Sequence, residues 1–295
     1  MRKTSVYLPD ETKEALRQVS IRWNRSEAQL IREAIDRLVR SADGESAPAS
    51  APASPRSQGP LLIGVGVGPS APDLITQRAV RVLERADRIF AASTAPDAIS
   101  RAETIVRSAA PDVAVDRLPF VASESPDVLN QSFARAVDAL VAVLDRGEVA
   151  AFITLGDPNV YSVFSELARR IREERPGMPV STVPGIMAFQ ELAAATGTIL
   201  AEGEERIDVG TMGDDGTALA RALVDARSTI VVYKGGRRLP EVAAQLRACE
   251  RLDSAVIGEL MGLSGGRTGP VADVAGRPAS YLATVVVPAR RADRS

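Results

Sequence analysis

The chain has no histidine, and this absence excludes several kinds of catalytic site. A Ser-His-Asp triad, proton transfer by imidazole and a His-ligated zinc all depend on that side chain. A single cysteine, Cys249, excludes an intramolecular disulfide and is typical of a reducing compartment. Any chemistry must therefore proceed without imidazole, and we expect no metal site.

Long apolar runs are also missing. No stretch approaches the roughly 20 apolar residues needed to span a bilayer, and the N-terminus has no signal-peptide core, so we expect a cytoplasmic protein. The net charge of −2 argues against a protein that binds nucleic acid over its whole surface. Residues 1–40, however, hold nine Lys/Arg against six Asp/Glu. A basic arm on an acidic body indicates two parts with different partners.

A segment of low complexity separates these two parts. Residues 41–59 are almost entirely Ala, Pro, Ser and Gly, and they cannot bury enough apolar surface to offset the entropy of ordering. We therefore predict a small domain at 1–40, a disordered linker at 41–59, and a body with subdomains at 60–180 and 181–295.

The arm has the pattern of a short strand followed by two helices. Polar and apolar residues alternate before Pro9, a first helix is predicted from Asp10 to about Ser20, and Ser26 is a good N-cap for a second. This arm resembles the ribbon-helix-helix DNA-binding family, in which two chains pair their strands. The resemblance implies a homodimer that binds DNA, unless the ribbon serves only for dimerisation. The DNA-binding residues it implies are Lys3, Ser5 and Tyr7 on the strand and Asn24, Arg25 and Ser26 at the helix start.

Three strand-to-loop junctions distinguish the body. An apolar strand from Leu61 runs into the glycines and proline of Gly64–Pro69. A second strand ends in the loop at Leu155–Ser162, and a third ends at Val183–Ala188. Glycines at strand ends let a ligand or another backbone approach closely, because no Cβ blocks the way.

Alternating strands and helices from Leu61 onward predict an α/β fold. The predicted elements include a helix at Pro126–Arg146, a strand at Val149–Thr154, a helix at Val160–Glu174 and a strand at Tyr281–Val287. A dinucleotide-binding unit is disfavoured, because the strand predicted at Arg88–Ala92 ends in apolar and hydroxyl residues instead of the acid that holds a ribose.

The combination of these loops resembles the tetrapyrrole (corrin/porphyrin) methyltransferases, in particular the precorrin-2 C20-methyltransferases of cobalamin synthesis. The resemblance covers roughly residues 61–288, and it implies a two-subdomain α/β body, a homodimer, a tetrapyrrole substrate and S-adenosylmethionine as the cofactor. Carried over by position, it implies that the cofactor lies against Pro69, Leu155, Gly156, Asp157, Val160, Met187, Ala188 and Tyr233. For Asp157 the alternative is a purely local turn or cap.

Several positions depart from that family. Ser70 and Ala71 replace a Gly-Asp pair in the first loop, and Leu260 follows Glu259 where an arginine is common. Two hypotheses follow. In the first, the chain is an S-adenosylmethionine-dependent tetrapyrrole methyltransferase with a DNA-binding arm. In the second, it is a transcriptional regulator whose diverged body senses S-adenosylmethionine or a corrinoid intermediate.

Overall fold

A computed structural model describes residues 10–23, 26–28, 31, 59–120, 125–213 and 216–291. The chain divides into two compact units, residues 1–52 and 53–295. In the first unit, helix α1 spans Asp10–Trp23, about three residues longer than the sequence predicts. Ser26 is exposed and precedes helical residues 27 and 28. Outside the described residues lie the predicted ribbon, residues 41–58 of the predicted linker, and Lys3, Ser5, Tyr7, Asn24 and Arg25.

The second unit begins with a parallel sheet of five strands in the order β3-β2-β4-β1-β5. The central strands β1 and β4 are almost wholly apolar, as expected where both faces of a parallel sheet are covered. The predicted boundary between residues 180 and 181 falls inside β5. The strands are β1 Leu61–Gly66, β2 Arg88–Ser93, β3 Val115–Pro119, β4 Val149–Thr154 and β5 Val180–Val183.

Helices pack on both faces of this sheet because successive strand residues point to opposite sides. Leu62 and Phe152 contribute to a core with the apolar stripes of α4 and α5. Their neighbours Ile63 and Ile153 contribute to a second core with α2 and α3. The helices are α2 Gln77–Leu83, α3 Arg101–Ala109, α4 Pro126–Leu144 and α5 Val163–Glu174.

A second five-stranded sheet has the order β6-β7-β10-β8-β9 and is mixed, with only β6 and β7 parallel. Helices α7 and α8 cover one face. Helix α6 follows β5 of the first sheet but packs on the other face of the second, through Phe189 and Leu192 against Val231 and Val286. The elements are β6 Arg206–Thr211, β7 Ser228–Tyr233, β8 Val256–Glu259, β9 Arg267–Pro270, β10 Thr284–Val287, α6 Ala188–Thr196, α7 Thr217–Leu223 and α8 Leu239–Ala248.

The predicted α/β class is confirmed, while three element boundaries are corrected. Helix α4 ends at Leu144 rather than Arg146. Helix α5 begins at Val163 rather than Val160, because Tyr161 has φ 49° and the side chain of Ser162 caps the helix by accepting from the N–H of Phe164. Strand β10 begins at Thr284 rather than Tyr281, since Tyr281 and Leu282 lie in a turn. Within the described ranges, no helix has both the length and the apolar character to cross a membrane.

Candidate functional site

The carboxyl ends of the first sheet's strands meet at one edge, because all five strands are parallel. Crevices outside such an edge are the usual ligand sites of open α/β sheets. The loops that follow β1, β4 and β5 are those that the sequence singles out, and the loop after β2 joins them. This edge therefore concentrates the glycine-rich loops.

The second sheet presents a matching edge. Strands β7 and β8 are both antiparallel to β10, so their carboxyl ends lie beside the start of β10. Tyr233 is the last residue of β7 and Lys234 follows it, Leu260 and Met261 follow β8, and Tyr281 precedes β10. These residues lie together because β10 is placed between β7 and β8 in the sheet.

One cavity of about 550 Å³ is bounded by both edges. That volume is within the range of small-molecule and cofactor sites. All eight residues predicted to contact the cofactor line it, although their individual roles remain predictions. Four further residues line the cavity that no sequence pattern indicates, namely Ile99, Arg101, Phe120 and Leu282. These residues are far in sequence from the glycine-rich loops, and only the fold brings them to the cavity. The eight predicted residues are Pro69, Leu155, Gly156, Asp157, Val160, Met187, Ala188 and Tyr233.

Three glycines allow the loops at the floor of this region to touch backbone to backbone. A Cβ on Gly66 would lie 2.4 Å from the carbonyl oxygen of Gly156, and one on Gly185 would lie 2.1 Å from that same oxygen. Gly156 in turn donates its N–H to the oxygen of Gly68 at 3.0 Å. The lack of a Cβ at Gly66 and Gly185 thus lets the loops close together, and Gly156, which both of them contact, lines the cavity.

The carboxylate of Asp157 links the loop after β4 to the loop after β5 by hydrogen bonds. Its Oδ1 accepts from the N–H of Asn159 at 2.8 Å, which is a local Asx turn, and its Oδ2 accepts from the N–H of Gly185 at 3.2 Å. Both carboxylate oxygens are therefore engaged with backbone donors. This is the local role that the sequence analysis left open for Asp157, extended to a second loop.

Strained backbone is concentrated at the cavity. Tyr161, Lys234 and Leu260 have φ of 49°, 58° and 51°, and all three line the cavity. Left-handed conformations cost free energy in residues that carry a Cβ, and such residues cluster at functional sites. The surrounding structure therefore holds these three side chains in position at some cost.

Two tyrosines connect the sheets across the cavity. The hydroxyl of Tyr161, from the loop after β4, donates to the carbonyl of Val209 in β6 at 3.0 Å. Its ring lies edge-on to that of Tyr233, with centroids 6.2 Å apart. The Tyr233 hydroxyl accepts from the N–H of Phe189 at the start of α6. Burial raises the pKa of Tyr233 to about 12, so this phenol is neutral at physiological pH.

The basic residues near the cavity are of two kinds. Arg238 is paired with Glu241 and Arg267 with Glu259, so neither is available to a ligand without breaking an ion pair. Burial alone would raise the pKa of Glu259, but the Ser280 N–H and the Arg267 guanidinium outweigh it and lower that pKa. Arg101 and Lys234 line the cavity, and neither forms an ion pair with any residue of the described ranges.

The altered first loop is held by the second half of the unit. Ser70 donates its hydroxyl to a carboxylate oxygen of Glu191 in α6, and it lies against Gly262, where an added Cβ would meet the Ser70 side chain at 2.7 Å. Ala71 does not line the cavity. Ser70 therefore anchors this loop to α6, and neither Ser70 nor Ala71 contributes to the wall of the cavity.

Comparison with known proteins identifies the family. The model of the tetrapyrrole (corrin/porphyrin) methylases matches residues 61–270, a range that contains both sheets up to β9 and most of the cavity wall. The chain belongs to this family. The tetrapyrrole methylases are S-adenosylmethionine-dependent methyltransferases, so the chain is a methyltransferase that uses S-adenosylmethionine as methyl donor.

Named relatives of this tetrapyrrole methylase include two that share a substrate class. A precorrin-2 C(20)-methyltransferase of Sinorhizobium sp is 29% identical over 237 residues, which cover 77% of this chain and 94% of that protein. A cobalt-precorrin-2 C(20)-methyltransferase of Salmonella typhimurium is 32% identical over 193 residues, covering 62% and 78%.

Solved structures share the fold of this tetrapyrrole methylase. The cobalt precorrin-4 methyltransferase CbiF is 17% identical with a TM-score of 0.58, over 77% of this chain and 94% of that one. The uroporphyrin-III-C-methyltransferase from Thermus thermophilus is 22% identical with a TM-score of 0.53, over 78% and 92%. At these identities the likeness establishes the fold alone, which agrees with the two-sheet body.

Proposed function

We propose that this tetrapyrrole methylase methylates C20 of precorrin-2, or of its cobalt complex, in cobalamin biosynthesis. The observation that carries the proposal is that residues predicted from a precorrin-2 C20-methyltransferase pattern all line one cavity. The names of the relatives from Sinorhizobium and Salmonella support the same substrate class.

The cavity suits S-adenosylmethionine by size and by the groups at its floor. Gly156 lines the cavity, and its carbonyl oxygen lies so close to Gly66 and Gly185 that neither neighbour has room for a Cβ. Asp157 keeps the two loops joined. S-adenosylmethionine, when bound, supplies an electrophilic methyl group.

Placement is the main contribution that these residues make to the reaction. Among the described residues that line the cavity, Asp157 is the only carboxylate, and its two oxygens already accept from backbone N–H groups. The phenol of Tyr233 is protonated. Alignment of two bound reactants can contribute roughly 7–11 kcal/mol without acid–base help. An electron-rich meso carbon needs little more than this alignment.

Large apolar side chains suit a flat macrocycle. Ile99, Tyr161, Tyr281 and Leu282 line the cavity with relative exposures of 55%, 49%, 45% and 43%. Side chains of this size are usually more buried than that. A grouped exposure at one opening is typical of a binding surface.

The test is anaerobic incubation with precorrin-2 and S-adenosylmethionine that carries an isotopically labelled methyl group. We expect one labelled methyl per product molecule, assigned to C20 by NMR. Tight cofactor binding without transfer to precorrin-2 would contradict the proposal and favour the regulator hypothesis. Label at a different carbon would retain the family and replace the C20 assignment.

We further propose that residues 1–40 bind DNA as part of a homodimer. The excess of Lys/Arg over Asp/Glu in this segment and its resemblance to ribbon-helix-helix proteins support the proposal. A gel shift with the DNA upstream of the chain's own gene, at rising salt, tests it. We expect a retarded band at low salt that Arg25→Ala weakens. Absence of the band at low salt would overturn the DNA proposal, and a monomer in sedimentation analysis would overturn the dimer.

A further inference from the structure

Lys234 is an unusual residue in this chain because it is the only lysine after Lys13. Every other basic side chain in the second unit is an arginine. Lys234 follows β7 directly, lines the cavity and has a left-handed backbone. Its Nζ lies 6.0 Å from the centroid of the Tyr161 ring, which belongs to the other half of the cavity wall. The ammonium group is therefore directed across the opening.

Arg101 is a second cation without an ion-pair partner among the described residues, and it lies on the wall formed by the first sheet. It is the first residue of α3, whose N-cap Ser100 fixes the start of the helix by accepting from the N–H of Glu103. Glu103 is fully buried and bonds to Arg107 and Arg117. Arg101 has no hydrogen-bond or ion-pair partner among the described residues. Burial lowers its pKa, a desolvation cost that no carboxylate of the described residues offsets.

The same cavity also has large apolar side chains that are exposed. The side chains of Ile99, Tyr161, Tyr281 and Leu282 form the opening described above. A cavity lined by exposed apolar side chains and by these two cations matches a flat ring that carries carboxylates on its rim. A third cation, Arg237, lies outside the lining with its guanidinium 5.4 Å from the centroid of the Tyr281 ring. Arg and Lys both bind carboxylates by charge-assisted hydrogen bonds.

We infer that Arg101 and Lys234 each bind one carboxylate of the macrocyclic substrate and so fix the orientation of the ring in the cavity. This inference rests on the proposed tetrapyrrole function. Arg101 begins α3, which packs on the first sheet, and Lys234 follows β7 of the second sheet. Two carboxylate contacts on opposite walls allow only a limited set of ring orientations. They are substrate-positioning residues, and neither takes part in the contacts that join the loops at Gly66, Gly156 and Gly185.

Calorimetry with sirohydrochlorin, the oxidised form of precorrin-2 with the same carboxylates, tests the inference. The variants are Arg101→Gln and Lys234→Gln, and Arg247→Gln is the control, because Arg247 is an exposed arginine that does not line the cavity. We expect each cavity variant to bind roughly tenfold more weakly, with a smaller dependence of affinity on salt. Lys234→Arg should recover much of the affinity. S-adenosylhomocysteine should bind all variants alike, which shows that they are folded.

Chemical labelling gives a second readout that needs no variant. An amine-reactive reagent followed by peptide mass spectrometry reports on Lys234 separately, since the other lysines are Lys3 and Lys13. We expect sirohydrochlorin to protect Lys234 several-fold more than Lys3 or Lys13. Wild-type binding with unchanged variants and no protection would overturn the inference but leave the proposed function intact. Wild-type protein that binds S-adenosylhomocysteine but not sirohydrochlorin would overturn both.

Discussion

The carboxylate of Asp157 accepts a hydrogen bond from the backbone N–H of Gly185, with 3.2 Å between Oδ2 and the nitrogen. The two residues lie on loops that follow different strands of the first sheet, β4 and β5. The acid therefore holds together the surface over which the cofactor is predicted to bind. In this arrangement Asp157 positions backbone groups and does not transfer protons.

Replacement of Asp157 by alanine tests this role. Asp157→Ala removes both acceptors, and we expect a loss of about 2 kcal/mol in the free energy of unfolding together with roughly tenfold weaker binding of S-adenosylhomocysteine. Asp157→Asn keeps one oxygen acceptor and should lose about half as much free energy. Denaturation and calorimetry measure the two effects. Unchanged stability with abolished binding would instead identify Asp157 as a direct ligand of the cofactor.

The glycine contacts predict a different kind of damage. In Gly185→Ala the new Cβ would lie 2.1 Å from the Gly156 oxygen, so the loops must separate. We expect a loss of about 2 kcal/mol or more in unfolding free energy and no measurable affinity for S-adenosylhomocysteine. Gly276→Ala is the matched control, because an added Cβ there meets nothing within 4 Å. If both variants bound the ligand as the wild type does, the close contact of the loops would be unnecessary for binding.

Tyr233 predicts a change in stability at alkaline pH. Its pKa is about 12 in the folded protein against an ordinary value of 10.0. Between these two pH values the folded state keeps the phenol proton that the unfolded state loses. The contribution of Tyr233 to the free energy of unfolding is therefore fully present below about pH 10, and it is lost as the pH rises towards about 12. Urea denaturation of wild type and Tyr233→Phe at about pH 9 and about pH 11 should show a smaller decline in the variant. Equal declines would show that Tyr233 does not contribute.

The hydroxyl of Tyr161 joins the two sheets, and its removal has a smaller predicted effect. Tyr161→Phe loses the bond to the Val209 carbonyl but keeps the ring beside Tyr233. Because the group is exposed, we expect a cost of about 0.5–1 kcal/mol in unfolding free energy and no change of fold by circular dichroism. A variant as stable as the wild type would show that water replaces this bond without loss.

Most of the parallel sheet could be predicted because its central strands are continuous apolar runs that end in glycine or proline. The strand at Val149–Thr154 has the predicted bounds. Short edge strands such as β3 (VDRLP) and β9 (RTGP) were missed, since polar residues and proline give no strand pattern there. Helix α6 was missed because its apolar face packs on the other sheet, a contact that no local pattern reveals.

Some residues of the candidate site could be predicted from the sequence, and others could not. Residues of the glycine-rich loops could be found because each loop follows a recognisable strand. Arg101 and Leu282 could not, since they join the cavity only through the fold. The ion pair between Arg267 and Glu259 could not be predicted either, because it depends on the register of β8 and β9.

Titration calorimetry with S-adenosylhomocysteine tests the account most directly, because every proposal for the second unit depends on the cavity between the two sheet edges. We predict one binding site per chain, lost in Gly185→Ala and retained in Gly276→Ala. No heat of binding with the wild type, or equal binding by Gly185→Ala, would contradict the assignment of this cavity to the methyl donor.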